Sequence, residues 1–201
     1  MEKGTLKCHQ YWPTSKEDLV NCPEVGLVVE NIEMTPGQHY NISTLRITNT
    51  ETNESRDVLH FHYTNCPDFG VPTCPDTFLE FLGAVRESRS MDRDVGPALV
   101  HCSAGIGRSG TFILVDTCLL EAQNSGPEVM CIKQRLLDMR TFRMGLIQTE
   151  DQLKFSYQSI IEGARQLGLM FRLLTLPLWR RPTPVARRTS HLLSRRPGLS
   201  L

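Results

Sequence analysis

Residues 98–112 read Ala98-Leu99-Val100-His101-Cys102-Ser103-Ala104-Gly105-Ile106-Gly107-Arg108-Ser109-Gly110-Thr111-Phe112, and this run constrains the fold more than any other. A short apolar run with the pattern of a buried strand, residues 98–100, leads into a cysteine. A loop of small residues with two glycines follows, and an apolar segment of helical character extends from Thr111 to Ala122. Strand, tight glycine loop and helix start bring successive backbone N–H groups onto one point, where the helix N-terminus adds positive partial charge. A thiol at the base of such an oxyanion cradle is depressed in pKa and presents as a thiolate. Arg108 closes the ring with a planar donor fork that matches two phosphate oxygens. A buried cysteine at an ordinary strand-to-helix turn fits the same residue types, but the order of the three parts favours the cradle.

The rest of the chain is read around this run. Val25 to Glu30, Tyr40 to Asn49 and Arg56 to Tyr63 have the β-branched content and polar punctuation of strands, with Thr50 to Asn53 as a hairpin connection. Pro67 to Pro75 is a proline-rich loop. Asp76 or Thr77 is placed to cap a helix through Phe78, Leu79, Leu82 and Val85. Val129 to Met139 has helical spacing, and Thr149 with Gln152 forms a capping-box pattern opening a helix through Phe155, Ile160 and Ile161. Strands mixed with helices predict an α/β fold with a sheet packed between helices.

A length of 201 residues suits one domain with a tail. The net charge of zero averages two unlike parts, because no acidic residue follows Glu162 while arginines recur from Arg165 to Arg196. Residues 1–167 are therefore read as the domain and residues 168–201 as a basic, disordered tail. Neutrality argues against nucleic acid as a partner. Leu169 to Trp179 is apolar but interrupted by Arg172 and Pro177, too short to span a membrane. Beside the basic tail it suits weak contact with an anionic membrane surface, although a segment with no role of its own is the simpler reading. Seven cysteines without Cys-x-x-Cys pairs, and a start with no apolar run, predict a reducing, cytoplasmic location.

His101-Cys102-Ser103-Ala104-Gly105-Ile106-Gly107-Arg108-Ser109-Gly110 resembles the signature loop of the cysteine-dependent protein tyrosine phosphatases, most closely the non-receptor T-cell phosphatase subgroup. The likeness runs from Met1 to about Ala164. It includes Met1-Glu2-Lys3-Gly4, Lys7-Cys8-His9-Gln10-Tyr11-Trp12-Pro13, His60-Phe61-His62-Tyr63-Thr64, Pro67-Asp68-Phe69-Gly70-Val71-Pro72 and Arg143-Met144-Gly145-Leu146-Ile147-Gln148-Thr149. The resemblance implies the cysteine-phosphatase fold, a mixed central sheet flanked by helices, and hydrolysis of phosphotyrosine in proteins through a phosphocysteine.

On that reading Cys102 attacks phosphorus, while the amides of Ser103, Ala104, Gly105, Ile106 and Gly107 and the Arg108 fork hold the equatorial oxygens. Ser109 donates its hydroxyl to the thiolate, or caps the following helix. His101 tunes the thiol through hydrogen bonds. A phenolate leaves poorly, so a general acid is required, and Asp68 in a loop with Gly70 as hinge is the candidate. Gln148 resembles the family's glutamine that positions the hydrolytic water, and Gln152 does so less strongly because it also suits the capping box. Arg140 and Arg143 lie near the site with low expected weight, and Glu2 and Lys7 match the loop flanking the lid. No metal or other cofactor is called for, since thiolate and arginine handle the phosphorus chemistry.

Two departures from the family stand out. Cys66 precedes Pro67-Asp68 where the family has tryptophan, which removes an aromatic of roughly 100 Å² or more of buried area and predicts a less favourable lid closure. The family's phosphotyrosine-recognition segment also has no counterpart before Met1, so the N-terminal part of the family domain is expected to be absent and core surface exposed. The alternative to an active enzyme is accordingly a phosphotyrosine-binding or inactive fragment with impaired turnover.

Overall fold

The structure, a computed structural model, describes residues 8–67 and 70–169. Four strands, β1 (Leu19–Cys22), β2 (Leu27–Pro36), β3 (Tyr40–Asn49) and β4 (Ser55–Tyr63), form an antiparallel meander in sequence order. The β3–β4 connection is built by Asn49, whose Oδ1 accepts the backbone N–H groups of Glu51 at 2.9 Å and Thr52 at 3.2 Å. Asn53 supplies the left-handed residue of that turn, with φ of 57°. β1, too short to show alternation, was not legible from composition.

Register sorts the sheet into two faces. Tyr40 pairs with Tyr63 and Ile42 with Phe61 on one face, where Tyr40 and Tyr63 pack their rings on Phe81 at centroid separations of 5.5 and 5.1 Å. Ser43 and Leu45 are buried on the other face, on the side where Trp12 packs against His60 and His62 of β4. The imperfect alternation of β3 thus reflects burial on both sides.

Four helices complete the molecule: α1 (Asp76–Glu87), α2 (Arg108–Ser125), α3 (Ile132–Phe142) and α4 (Glu150–Gln166). α1 buries Phe78, Leu79, Phe81, Leu82 and Val85 at helical spacing. α2 contributes Phe112, Leu114, Val115, Cys118, Leu119 and Ala122 to the same core, which α4 closes with Phe155, Ile160 and Ala164. Gly163 lets α2 and α4 approach closely, since a Cβ there would lie 2.7 Å from Leu119 Cδ1. Arg86 pairs with Asp116 between α1 and α2, and Arg135 pairs with Glu121 at 2.6 Å between α3 and α2.

Several expectations change. No strand forms at residues 98–100, and Leu99 is 89% exposed. A strand is made by ladder partners rather than by apolar content, and among the described residues no neighbour offers 98–100 a ladder. The expected α/β class holds, with helices packed on a sheet, while among the described residues the sheet pairs antiparallel rather than mixed. α1 is preceded by Pro75 without a side-chain cap; Thr77 instead meets the Tyr63 hydroxyl at 2.9 Å and accepts from Asn65 at 3.1 Å. α3 starts at Ile132 rather than Val129, because Met130 and Cys131 are extended after a 3-10 turn at Pro127–Val129. Leu169, assigned to the tail by composition, is buried in the core with its N–H on the Ala164 carbonyl at 2.9 Å. Residues 170–201, which hold the expected disorder and membrane contact, lie outside the described residues.

Candidate active site

The loop from Cys102 to Gly107 runs into α2, which begins at Arg108, three residues earlier than its apolar pattern suggests. Arg108 and Ser109 thus form the first turn, where backbone N–H groups have no helical acceptor and positive partial charge is greatest. Gly107 precedes the helix without a side-chain cap, so Ser109 does not cap it. Its hydroxyl is buried and meets no nitrogen or oxygen acceptor among the described residues; the atom it serves is the Cys102 sulfur. Burial alone pushes the half-buried Cys102 thiol up. The Ser109 hydroxyl and the backbone N–H groups of Ser109, Gly105 and Ile106 outweigh that and hold it below the usual 9.0. The loop can turn its amides inward because Gly105 takes φ of 71°, a region closed to most side chains.

Arg108 extends from this turn and donates from Nη2 to the carbonyl of Pro67 at 2.9 Å. The cradle and the start of the proline-rich loop are therefore tied by the same guanidinium. Asp68 itself lies outside the described residues, as do Glu2 and Lys7. Cys66, half-buried beside this tie, has its thiol pushed up by burial, with Arg108 pulling it down and Cys102 pushing it up further. The two thiols are driven in opposite directions within one site.

Gln148 reaches the cradle from the other side. Its Oε1 lies 2.6 Å from where a Cβ on Gly107 would sit, with both polar ends of Gln152 at 2.9 and 3.2 Å from the same point. A side chain at 107 would displace both glutamines. Thr149 caps α4 by accepting from the Gln152 N–H at 3.2 Å. The reciprocal bond falls one residue early, with Gln152 Oε1 accepting from the Gln148 N–H at 2.9 Å. Gln152 thus spends one oxygen on the loop that carries Gln148.

The resemblance puts Arg140 and Arg143 near the site with low weight, as arginines common at exposed helix ends, and the structure ties both to this loop or the cradle. Arg143 donates to the Ala104 carbonyl at 3.2 Å, while Arg140 donates to the carbonyls of Leu146 at 2.9 Å and Ile147 at 3.0 Å. Backbone carbonyl partners leave no side-chain signature in a sequence, which is why spacing does not find them.

Behind Cys102, His101 Nδ1 lies 3.1 Å from the Cys102 carbonyl and Nε2 meets the Tyr11 hydroxyl at 2.5 Å. Tyr11 also approaches His60 Nε2 at 3.5 Å. Burial, then the neighbouring His62 and His101, pushes His60 down to about 4; burial and His101 lower His62. His60 and His62 are therefore held toward the neutral imidazole behind the site.

Known proteins resemble this chain along most of its length. Residues 1–162 match the protein-tyrosine phosphatase family model. The chain is 52% identical over 165 residues to tyrosine-protein phosphatase non-receptor type 2 of Rattus norvegicus, covering 82% of this chain and 39% of the relative. The Homo sapiens protein of the same name gives the same figures. Tyrosine-protein phosphatase non-receptor type 61F of Drosophila melanogaster is 50% identical over 170 residues, 83% of this chain and 30% of the relative. The chain spans about two fifths of the type 2 relatives and less than a third of the Drosophila one.

Proposed function

The chain belongs to the protein-tyrosine phosphatase family, and from that premise we propose that it hydrolyses phosphotyrosine in cytoplasmic proteins through a phosphocysteine. The observation that carries this reading is the lowered Cys102 thiol beneath a turn of converging N–H groups. The Cys102 thiolate attacks phosphorus as the bond to the tyrosine oxygen breaks, and Asp68 delivers a proton to that oxygen. Charge that builds on the equatorial oxygens meets the amides of residues 103–107 and the Arg108 fork. Water, oriented by Gln148, then attacks the phosphocysteine while Asp68 takes back a proton. Ser109 donates to the departing sulfur and so favours its release as thiolate.

No helix among the described residues is long and apolar enough to cross a membrane. A second reading, phosphotyrosine binding without turnover, draws on the unpaired 98–100 segment and the 89% exposure of Leu99, which mark unfinished packing next to Cys102. One experiment separates the two. The full chain and Cys102→Ser are assayed with a phosphotyrosyl peptide for phosphate release and for binding. Phosphate release that vanishes in Cys102→Ser supports the enzyme. Binding without release supports the second reading, and absence of both release and binding overturns the two readings together.

A further inference from the structure

We propose that Arg140 is a positioning residue whose guanidinium holds Gln148 in register with the cradle, so that its loss slows release of phosphate from Cys102 and spares the attack that puts it there. This deepens the phosphatase reading and rests on it.

The segment that needs holding is Ile147. Its φ is 63°, in the left-handed region, where a β-branched side chain is a genuine outlier that surroundings must impose. Those surroundings are explicit. The Ile147 side chain is buried at 5% exposure, and its N–H donates to the Ile106 carbonyl at 2.9 Å. Arg140, in the last turn of α3, spans the two successive carbonyls of Leu146 and Ile147 with Nε and Nη2. One planar fork thus fixes the peptide on both sides of the strained residue, a geometry that a point charge such as lysine does not reproduce.

The consequence falls on the next residue. With Ile147 in this conformation, Gln148 projects over Gly107, and its N–H is held by Gln152. If the carbonyls of Leu146 and Ile147 are released, Ile147 can return to negative φ, and Gln148 turns away from the cradle. The groups that lower the Cys102 thiol belong to residues 105, 106 and 109, and Arg140 touches none of them. Ile147 meets Ile106 at its carbonyl and not at the N–H that faces the sulfur, so the nucleophile keeps its donors while the water-positioning side chain loses its support.

The test uses the full chain with a phosphotyrosyl peptide under rapid quench. In Arg140→Met the first turnover is expected at the wild-type rate with a burst near one product per enzyme, and phosphocysteine accumulates in acid-quenched samples. The steady-state rate falls by up to about 100-fold, as expected when a reacting partner is misplaced by roughly an ångström. Arg140→Lys, which keeps the charge and one carbonyl contact, recovers part of that rate. Amide exchange provides a readout independent of turnover: the Ile147 N–H exchanges faster in Arg140→Met while α2 amides stay protected. Equal loss of burst and steady-state rates, or unchanged Ile147 exchange in a folded variant, overturns the proposal. Should Arg140→Met fail to fold, Arg140→Lys carries the same comparisons. Absence of any Cys102-dependent turnover in the wild-type chain sinks the phosphatase reading instead, and Ile147 exchange then decides the brace by itself.

Discussion

Arg108 donates to the carbonyl of Pro67 at 2.9 Å, so the cationic wall of the cradle is tied to the residue that precedes Asp68. A guanidinium can hold that carbonyl with one nitrogen while others face a phosphoryl group; an ammonium cannot. Arg108→Lys is therefore expected to lower kcat about 100- to 1,000-fold, the range for a lost transition-state donor. Steady-state kinetics checks this, and loss of only a few-fold would show that charge alone suffices.

The three best-defined thiols differ by environment. Cys102 is held down by Ser109 and three backbone N–H groups against its own burial, whereas burial raises Cys66 and takes Cys118 up to about 11. Limiting iodoacetamide at neutral pH is expected to label Cys102 ahead of both, as read by peptide mass spectrometry. Ser109→Ala moves the pH midpoint of Cys102 labelling upward.

The family resemblance implies tryptophan at the position of Cys66, and on that reading the smaller cysteine gives lid closure less surface to bury. Cys66→Trp is expected to raise turnover of substrates with poor leaving groups and leave good ones unchanged, because only the former depend on proton delivery. Rates for a matched pair of aryl phosphates decide it; identical responses would remove Cys66 from the account of lid closure.

Gly107→Ala tests the close approach of Gln148. φ at Gly107 is −78°, but a Cβ there meets Gln148 Oε1 at 2.6 Å. The long glutamine side chains give way more easily than backbone, so the expected result is near-unchanged Tm with turnover lowered roughly 10- to 100-fold. A large fall in Tm would show instead that the loop itself had moved.

His60 sets a pH window for stability. Its pKa falls from 6.5 unfolded to about 4 folded, so between those values the unfolded chain binds more protons. Stability therefore drops as pH falls from about 6.5 toward 4 and levels off below. Partial exposure trims the effect to about 1–2 kcal/mol. His60→Gln, measured by denaturant titration at pH 7 and 4.5, is expected to flatten this slope.

Much of the site was legible because it is local. The cradle from Cys102 to Arg108, the β3–β4 turn and the Thr149 cap each depend on residues within a few positions of one another. What was hidden depends on partners far along the chain. Ala98-Leu99-Val100 looks like a buried strand, yet strand identity comes from a neighbour that composition does not supply. Thr77 looks like a cap and serves Tyr63 instead. Arg140 looks like an exposed helix-end arginine, and its partners are carbonyls that every residue possesses.

The Ser109 hydroxyl, buried and directed to the Cys102 sulfur, makes ionisation of Cys102 part of how the first turn of α2 is seated. The folded thiol releases its proton below the 9.0 of an unperturbed one, so between the two values the folded chain binds fewer protons than the unfolded one. Over that interval rising pH strengthens the fold through this one group, and the gain vanishes when the sulfur is alkylated. Alkali, which loosens most proteins, here tightens one joint.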